Sequence, residues 1–457
     1  MDFKNKKALV YGAGKSGIGT AELLIHAGAH PILFDEKAGI TSDEILERLD
    51  GKIRGLADAL TGDITPEFIS ELDLAVLSPG VPTDIPNVLA LKQAGIPVWG
   101  EVELAYRVSG GKILGVTGTN GKTTTTTLLG EIMKNADPDT YVVGNIGNPY
   151  TEAALKITDH SNVVIELSSF QLETIEEFHP SVSAILNITP DHLNRHHTME
   201  EYIRCKKRIT LNQDKRDTCV LNYEDEVLRE FGKECNADVF WFSSARVIEN
   251  GIYYADGEII LTRDGKHERI AETDKLSLPG VHNYENIMAG AAMAYSAGVP
   301  LDIIRDTIAA FKPVEHRIEY VDEKNGVVWY NDSKGTNPDA AIKGIQAMSR
   351  PTLLIGGGYD KKSDYRDWIR SFDGKVRWFV LEGKTRHDIK AAALECGYPE
   401  EKIVLFETMH EAMEFCRDHA EPGDAVLLSP ACASWGEFPN YEVRGEKFKE
   451  YVRKEIQ

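Results

Sequence analysis

A strand, a short glycine-rich loop and a helix start follow one another at residues 113–129, and no other part of the chain constrains the fold as strongly. The loop reads GTNGKT over Gly118–Thr123 and comes directly after an apolar run. Loop N–H groups and the positive end of the helix attract an anion, Lys122 adds a full charge, and the Thr123 hydroxyl can bind Mg²⁺. The standard phosphate loop begins with a glycine where this chain has Val116. We nevertheless predict a phosphate site here rather than an ordinary glycine turn.

Apolar strand-like runs alternate with helical patterns along almost all of the 457 residues. This alternation predicts an α/β chain with mainly parallel sheets. A chain of this length usually folds into more than one domain, each with its own hydrophobic core. The pattern restarts after Gly110-Gly111 and again near residues 311–313. We therefore predict three α/β domains, over residues 1–100, 101–312 and 313–457. Within the second domain, three turn signals predict a hairpin-like region: Asn250-Gly251, Asp256-Gly257 and Asp264-Gly265.

The net charge of −21 argues against a nucleic-acid-binding protein, because the phosphate backbone would be repelled. Any anionic substrate must therefore be held by local cations and helix ends. The six cysteines form no CxxC pair, so neither a zinc site nor a disulfide framework is expected. The chain begins directly with a strand pattern, shows no signal peptide, and has no apolar run of membrane length. We expect a cytoplasmic protein that does not insert into membranes.

A second glycine motif, GAGKSG, lies at Gly12–Gly17 after the first apolar run, and Asp35 ends the next one. Alone, this pattern is typical of a dinucleotide site with an acidic ribose acceptor. The pattern is weak, since any tight strand-to-helix turn favours glycine. It predicts a nucleotide or diphosphate at the first helix N-terminus and leaves open which nucleotide.

Polar groups follow the apolar runs of the second domain. Glu166 comes directly after residues 163–165, and it can reach a Mg²⁺ bound by Thr123 if the two strands are neighbours. A solvated carboxylate at a strand end is equally compatible with this spacing. The histidine cluster at residues 192–197 suggests zinc, but no HExxH motif or cysteine partner accompanies it, so a soft-metal site is not expected. The stretch YIRCKKRI at Tyr202–Ile209 is most simply a solvated cationic helix face.

Three predicted strands of the third domain end in loops of small and polar residues. These loops are Asn331–Asn337, Gly356–Lys361 and Ser429–Ser434. One such loop is a turn, but three at the carboxyl ends of strands indicate a ligand-binding face. Arg317, which precedes the first of these strands, is a further candidate cation.

Taken in order, these motifs resemble those of the Mur ligase family. They are GTNGKT at Gly118–Thr123, GNIG at Gly144–Gly147, ELSSFQL at Glu166–Leu172, DH at Asp191-His192, HNYEN at His282–Asn286, HR at His316-Arg317 and NDSKGTN at Asn331–Asn337. The ending LLSPACASWGEFPNYEVRG at Leu427–Gly445, together with ELSSFQL, is similar to the members that add D-glutamate. The DNPR motif of the members that add diaminopimelate or lysine is absent.

The resemblance implies a Rossmann-like N-terminal domain for a UDP moiety, a P-loop-type central ATPase domain and a Rossmann-like C-terminal domain. It implies an ADP-forming ligase of peptidoglycan synthesis, in which D-glutamate joins UDP-N-acetylmuramoyl-L-alanine through an acyl phosphate. ATP and two Mg²⁺ ions are then expected, with small molecules as partners and a monomeric chain. A folylpolyglutamate synthetase would share the phosphate loop without the N-terminal glycine domain. An NAD(P)-dependent oxidoreductase would explain the glycine motif at Gly12–Gly17 but not the phosphate loop at Gly118–Thr123.

The resemblance also implies roles for individual residues. Those expected to bind ATP are Gly118, Thr119, Asn120, Gly121, Lys122, Thr123, Thr124, Asn283, Asn286, Arg317, Asp332 and Lys334. Those expected to bind the UDP substrate are Gly14, Lys15, Ser16, Gly17, Asp35, Ser78, Gly80, Asn145, Ser168 and Gln171. Those expected to bind D-glutamate are Thr336, Lys361, Ser434, Trp435 and Tyr441. The expected metal ligands are Thr123, Glu166, His192 and Lys206, and the expected catalytic residues are Lys122, His192 and Lys206. Family members carry a CO₂-derived carbamate on a lysine, which corresponds to Lys206, with the neighbouring Lys207 as the alternative.

Overall fold

The computed structural model describes residues 2–36, 39–145, 148–190, 192–277, 280–312, 315–359 and 363–456. The chain divides into two compact units, Met1–Phe311 and Lys312–Gln457. The first unit contains two sheets and the second contains one. The strands are mainly parallel and are connected by helices, which confirms the predicted α/β class.

The first sheet has five parallel strands in the order β3-β2-β1-β4-β5. The strands are β1 Lys7–Tyr11, β2 His30–Phe34, β3 Asp58–Leu60, β4 Leu74–Leu77 and β5 Val98–Gly100. The helices are α1 Lys15–His26, α2 Ser42–Leu46, α3 Pro66–Ile69, α4 Pro86–Gln93 and α5 Glu101–Val108. The strand order reverses beside β1, so the loop between β1 and α1 lies where ligands bind in open α/β sheets.

The second sheet has nine strands in the order β14-β13-β12-β11-β10-β9-β6-β8-β7. The strands are β6 Lys112–Thr117, β7 Thr140–Gly144, β8 Asn162–Glu166, β9 Val182–Ile185, β10 Thr218–Asn222, β11 Asp238–Ser243, β12 Gly251–Ala255, β13 Glu258–Arg263 and β14 Lys266–Glu272. The helices are α6 Lys122–Ala136, α7 Tyr150–Ala153, α8 Ser169–Leu172, α9 Leu193–His196, α10 Met199–Lys207, α11 Glu226–Glu234, α12 Val281–Ser296 and α13 Leu301–Ala310. The phosphate-loop strand β6 lies between β8 and β9, so its loop is flanked by two other strand ends.

The hairpin-like region forms the far edge of this sheet. Strands β12, β13 and β14 are antiparallel, and their turns at Asp256-Gly257 and Asp264-Gly265 place both residues at positive φ, which is typical of two-residue hairpins. The hairpin prediction at Asn250-Gly251 is wrong, because β11 and β12 run parallel and Gly251 is the first residue of β12.

The second unit contains a six-stranded sheet in the order β15-β16-β20-β17-β18-β19. The strands are β15 Glu319–Lys324, β16 Val327–Asn331, β17 Thr352–Gly358, β18 Val376–Gly383, β19 Ile403–Leu405 and β20 Ala425–Leu428. The helices are α14 Pro338–Gln346, α15 Arg366–Arg370, α16 Arg386–Glu395, α17 Met409–His419 and α18 Tyr441–Lys454. All pairs are parallel except β15 with β16.

Apolar side chains cover both faces of this last sheet. Leu354 and Leu427 pack into one buried cluster, whereas their neighbours Leu353 and Val426 pack into another on the opposite face. Such continuous apolar strands are typical of parallel sheets buried by helices on both sides. Among the residues whose structure is given, no helix combines the length and the apolar character that a membrane crossing requires.

Candidate active site

The phosphate loop is shaped by two glycines and by a residue far away in the sequence. Gly118 and Gly121 have φ angles of +152° and +84°, which favour glycine. A Cβ atom at Gly121 would overlap the Asn286 side chain, which lies on α12 behind the loop. The 15-residue helix α6 begins directly after Gly121, so its positive end faces the loop. The loop therefore has the form of an anion cradle.

Lys122 folds back over this cradle. Its Nζ donates to the carbonyl oxygens of Gly118 at 3.0 Å and of Thr119 at 2.7 Å. The Asn120 N–H donates to Asn187 Oδ1 at 2.8 Å, and Asn187 Nδ2 donates back to the Asn120 carbonyl at 3.1 Å. Asn187 thus fixes one side of the loop. Asn187 lies just after β9, and none of the sequence motifs assigns it a role.

Glu166 reaches the phosphate loop because β8 and β6 are neighbours with Val116 and Glu166 in register. Its carboxylate is buried and accepts the Thr123 hydroxyl at 3.0 Å and the Asn145 amide at 2.8 Å. The neighbouring strands therefore support the interpretation of Glu166 as a partner of Thr123 over that of a solvated carboxylate. A carboxylate and a hydroxyl are the hard oxygen ligands that Mg²⁺ prefers.

Lys206 lies on the other side of the loop. It is buried, its Nζ donates to the Gly118 carbonyl at 2.6 Å, and it lies 4.7 Å from the centre of the Tyr202 ring. The interpretation of α10 as a solvated cationic face is wrong for these two residues and for Cys205, which are all buried. Lys207 points elsewhere, to Glu234 at 3.0 Å.

Aromatic and histidine rings line this side of the site. The Tyr202 hydroxyl and the Thr119 hydroxyl are 3.0 Å apart. The His192 ring lies 4.9 Å from the Phe170 ring and 6.4 Å from the Tyr202 ring. Asp191, the first residue of the DH motif, lies outside the described residues. Of the residues expected around adenine, Asn283 and Asn286 are both buried on α12.

The first glycine motif is held by side chains from two other strands. Asp35 Oδ2 accepts the Ala13 N–H at 3.0 Å, and Ser78 Oγ donates to the Gly12 carbonyl at 3.0 Å. A cavity of about 450 Å³ lies beside the loop, where Gly14 and Lys15 line it. Asp35 and Ser78 therefore shape the loop, while Gly80 is exposed nearby.

Two residues expected at the UDP substrate have local partners. Ser168 caps α8, and Gln171 completes a capping box by accepting the Ser168 N–H at 2.9 Å. The Gln171 amide also donates to Glu101 at 2.8 Å. These bonds account for both side chains in the folded chain, and their substrate contacts stay a prediction.

In the second unit, the ends of β16, β20 and β17 lie side by side, because these strands are adjacent and parallel. Gly356–Gly358 of the third predicted loop belong to β17, and its last two residues lie outside the described residues. Asp332, after β16, accepts the Ser429 hydroxyl at 2.7 Å and the Ile318 N–H at 3.2 Å. Burial raises the pKa of Asp332 to about 7, and the nearby Arg317 guanidinium opposes this rise. The loops after β16 and β20 therefore form one polar site around Asp332 and Ser429.

The residues expected around D-glutamate lie on the same unit, except that Lys361 is outside the described residues. Ser434 is buried, and Trp435 is 56% exposed with its ring 6.1 Å from that of Tyr359. Tyr441 begins α18, and Lys334 Nζ lies 5.9 Å from the centre of its ring. Thr336 is partly exposed after β16.

A cavity of about 330 Å³ in this unit is lined by Ser434 and Trp435, and also by Glu382 and Arg444. Arg444 is fully buried and donates to the Ser333 hydroxyl and carbonyl, both at 2.9 Å. Burial raises the pKa of Glu382 to about 7 and lowers that of Arg444 to about 10. The sequence motifs single out neither residue's role, since a charged residue inside a helix or strand pattern is usually exposed.

Comparison with known proteins agrees with this architecture. Residues 6–100 match the family described as Mur ligase MurD-like, N-terminal domain, residues 116–294 match the Mur ligase middle domain, and residues 316–432 match the Mur ligase glutamate ligase domain. The chain belongs to the Mur ligase family, which confirms the resemblance seen in its motifs.

Several relatives carry the name UDP-N-acetylmuramoylalanine–D-glutamate ligase. The protein of Lachnoclostridium phytofermentans is 55% identical over 452 residues, and that of Lachnospira eligens is 53% identical over 454 residues. Each alignment covers 99% of this chain and 99% of the relative. A crystal structure of a murein peptide ligase from Psychrobacter arcticus aligns over 97% of this chain and 99% of that chain, with a TM-score of 0.48 and 14% identity.

Proposed function

We propose that this chain is an ATP-dependent, ADP-forming ligase that joins D-glutamate to UDP-N-acetylmuramoyl-L-alanine in peptidoglycan synthesis. The observation that carries the chemistry is the convergence of Lys122, Thr123, Glu166 and Lys206 on one glycine loop. The choice of substrates rests on the full-length identity with the two named ligases. A dehydrogenase would not use these phosphate-binding residues in its reaction, so their convergence argues against that class of enzyme.

We assign the three predicted domains, 1–100, 101–312 and 313–457, to the UDP substrate, to ATP and to D-glutamate. The first is supported by the loop that Asp35 and Ser78 hold beside its cavity. The second is supported by the anion cradle at Gly118–Thr123. The third is supported by the strand ends that meet at Asp332.

The residues around Glu166 fit Mg²⁺. Thr123 and Glu166 supply hydroxyl and carboxylate oxygens, His192 lies on the same side of the loop as Tyr202, and Lys206 as a carbamate would add an anionic oxygen. When bound, Mg²⁺ neutralises charge on transferring phosphates. The Lys206 ammonium first loses one proton; the neutral amine then joins CO₂ and releases a second proton, so a cation becomes an anion.

The proposed reaction has two transfers. A carboxylate oxygen of the alanine attacks the γ-phosphorus of ATP, the bond to ADP breaks, and an acyl phosphate forms. The amino group of D-glutamate then attacks the acyl carbon, phosphate leaves, and the amine loses its proton. The loop N–H groups and Lys122 hold the phosphates and offset their charge, which is the main contribution that proteins make to such transfers.

Pairs of carboxylates in D-glutamate need cations and hydrogen-bond donors. We assign this role to Lys361, Ser434 and Thr336, with Trp435 and Tyr441 packing beside them. Ser434 and Trp435 line the 330 Å³ cavity, which supports their assignment.

The direct test is turnover with purified protein, ATP, Mg²⁺, UDP-N-acetylmuramoyl-L-alanine and D-glutamate. We expect ADP, phosphate and an amide product whose mass equals that of both substrates less one water. Omission of either co-substrate, or L-glutamate in place of D-glutamate, should abolish product formation. ATP hydrolysis that ignores both co-substrates would contradict the proposal.

A further inference from the structure

A histidine, a cysteine and a glutamate meet beside α10, close to the candidate active site. One ligand atom each from Glu173, His196 and Cys205 lies within 4.8 Å of the others. His196 and Cys205 are buried, and the Glu173 side chain is only 8% exposed. The histidine cluster lacks a cysteine partner in the sequence, but the structure supplies one because α10 packs against α8 and α9.

Hydrogen bonds orient this cluster. His196 Nε2 lies 2.9 Å from Ser169 Oγ, and His196 Nδ1 lies 3.4 Å from Glu173 Oε1. A neutral ring that donates Nε2–H to Ser169 leaves the Nδ1 lone pair for a cation held between Nδ1 and Glu173. In metal sites, a hydrogen bond from the ring nitrogen that does not bind the metal fixes the orientation of the histidine.

One oxygen of the Glu173 carboxylate already has two hydrogen-bond donors. Its Oε2 accepts from Arg195 Nη2 at 2.8 Å and from Thr83 Oγ1 at 3.2 Å. Its Oε1 accepts from Arg195 Nε at a longer 3.3 Å and lies 3.4 Å from His196 Nδ1. Oε1 can therefore turn to a cation between itself and His196 while Oε2 keeps its partners.

We propose that Glu173, His196 and Cys205 bind one Zn²⁺ ion or another thiophilic divalent cation. One sulfur, one nitrogen and one oxygen ligand match the preferences of Zn²⁺, and three protein ligands leave a fourth position for water. Cys205 binds as the thiolate, and its proton goes to solvent. The site differs in chemistry from the all-oxygen pair Thr123 and Glu166, and it does not rest on the proposed ligase activity.

Co²⁺ is the probe, because a thiolate bound to Co²⁺ gives a near-ultraviolet charge-transfer band that oxygen ligands do not give. The chelator-treated full chain is titrated with Co²⁺ in excess Mg²⁺, which fills hard-ligand sites. We expect the band to saturate at about one equivalent and to bleach when Zn²⁺ is added. A chain that shows no band at one equivalent overturns the proposal.

Variants assign the band to this cluster. Cys205→Ser should remove it, whereas Cys235→Ser and Cys416→Ser, which change buried cysteines elsewhere, should keep it. If Cys205→Ser misfolds by circular dichroism, Ser169→Ala provides the second test, with Co²⁺ affinity expected to fall about 10–100-fold. A band that survives Cys205→Ser, or an affinity unchanged in a folded Ser169→Ala protein, contradicts the assignment.

Discussion

The carbonyl oxygen of Gly118 accepts from two lysines at once, Lys122 at 3.0 Å and Lys206 at 2.6 Å. Two ammonium groups that share one acceptor repel each other, and the repulsion is strong where water is scarce. The proposed conversion of Lys206 to a carbamate would remove this repulsion and place an anion near Thr123 and Glu166. The geometry thus gives a reason for the proposed modification to fall on Lys206.

We predict that the protein incorporates one carbamate from ¹³C-labelled bicarbonate, detected as a single carbonyl resonance by NMR. Lys206→Arg should lose the resonance and the activity, because a guanidinium does not form the carbamate. Lys207→Arg is the matched control, since Lys207 binds Glu234 instead. A resonance that persists in Lys206→Arg and disappears in Lys207→Arg would reverse the assignment.

Lys122→Ala should reduce kcat for ATP-dependent amide formation by about 10²–10³-fold, the usual cost of removing one donor that stabilises developing charge. The fold should remain, because the Lys122 ammonium donates to carbonyl oxygens of its own loop. Lys134→Ala, at the exposed end of the same helix, should leave kcat unchanged. Full activity in Lys122→Ala would refute its phosphate role.

At this scale, the sequence predicts residues that lie in a motif and misses those that depend on packing. Thr123 and Glu166 were paired because parallel strand ends meet, and the structure places them in contact. Asn187 and Arg444 received no role because their partners lie on other elements. Cys205 and His196 are nine residues apart in sequence, and only the packing of α10 reveals them as neighbours.

Among elements, the sequence signal is strong for the strands inside the sheets and weak for some strands at their edges. Strands β3 and β15 each lie at the edge of a sheet. β3 has only three residues, and β15 reads EYVDEK, so neither shows a continuous apolar run. An edge strand has one unpaired side and needs less apolar surface, which weakens its sequence signal.

Gly121→Ala should impair ATP binding more than it impairs folding. Gly121 has positive φ, and an added Cβ would push against Asn286, so the loop must change shape at the start of α6. We expect ATP affinity, measured by calorimetry, to fall at least about 10-fold, since the backbone strain alone costs about 1–2 kcal/mol. Gly290→Ala on α12, where the nearest contact is 3.4 Å, is the control and should bind normally. Equal affinities in the two variants would argue against the cradle.

For the whole molecule, the division into two compact units predicts two unfolding transitions in calorimetry. Glu382 belongs to the second unit, and its pKa rises from 4.5 to about 7 on folding. The folded state binds this proton more tightly than the unfolded state does. The free energy of unfolding therefore falls as pH rises from 4.5 to 7. The full penalty, about 3 kcal/mol or less, applies above pH 7.

Glu382→Gln should therefore raise the temperature of one transition, more at pH 8 than at pH 5.5, and leave the other unchanged. Glu395→Gln, on the exposed face of α16, should change neither. A gain that is equal at both pH values would show that burial of the Glu382 charge is not its cause. A shift of both transitions together would show that the two units unfold as one.

Asn286, which supports the phosphate loop from behind, is separated from Thr125 by 161 residues. While the chain is emerging from a ribosome, the loop and α6 are therefore made long before α12 exists to support them. The free energy of ATP binding can stabilise only a chain whose synthesis has passed residue 286. Until then, the phosphate loop and the start of α6 lack the contacts that Asn286 supplies in the folded chain.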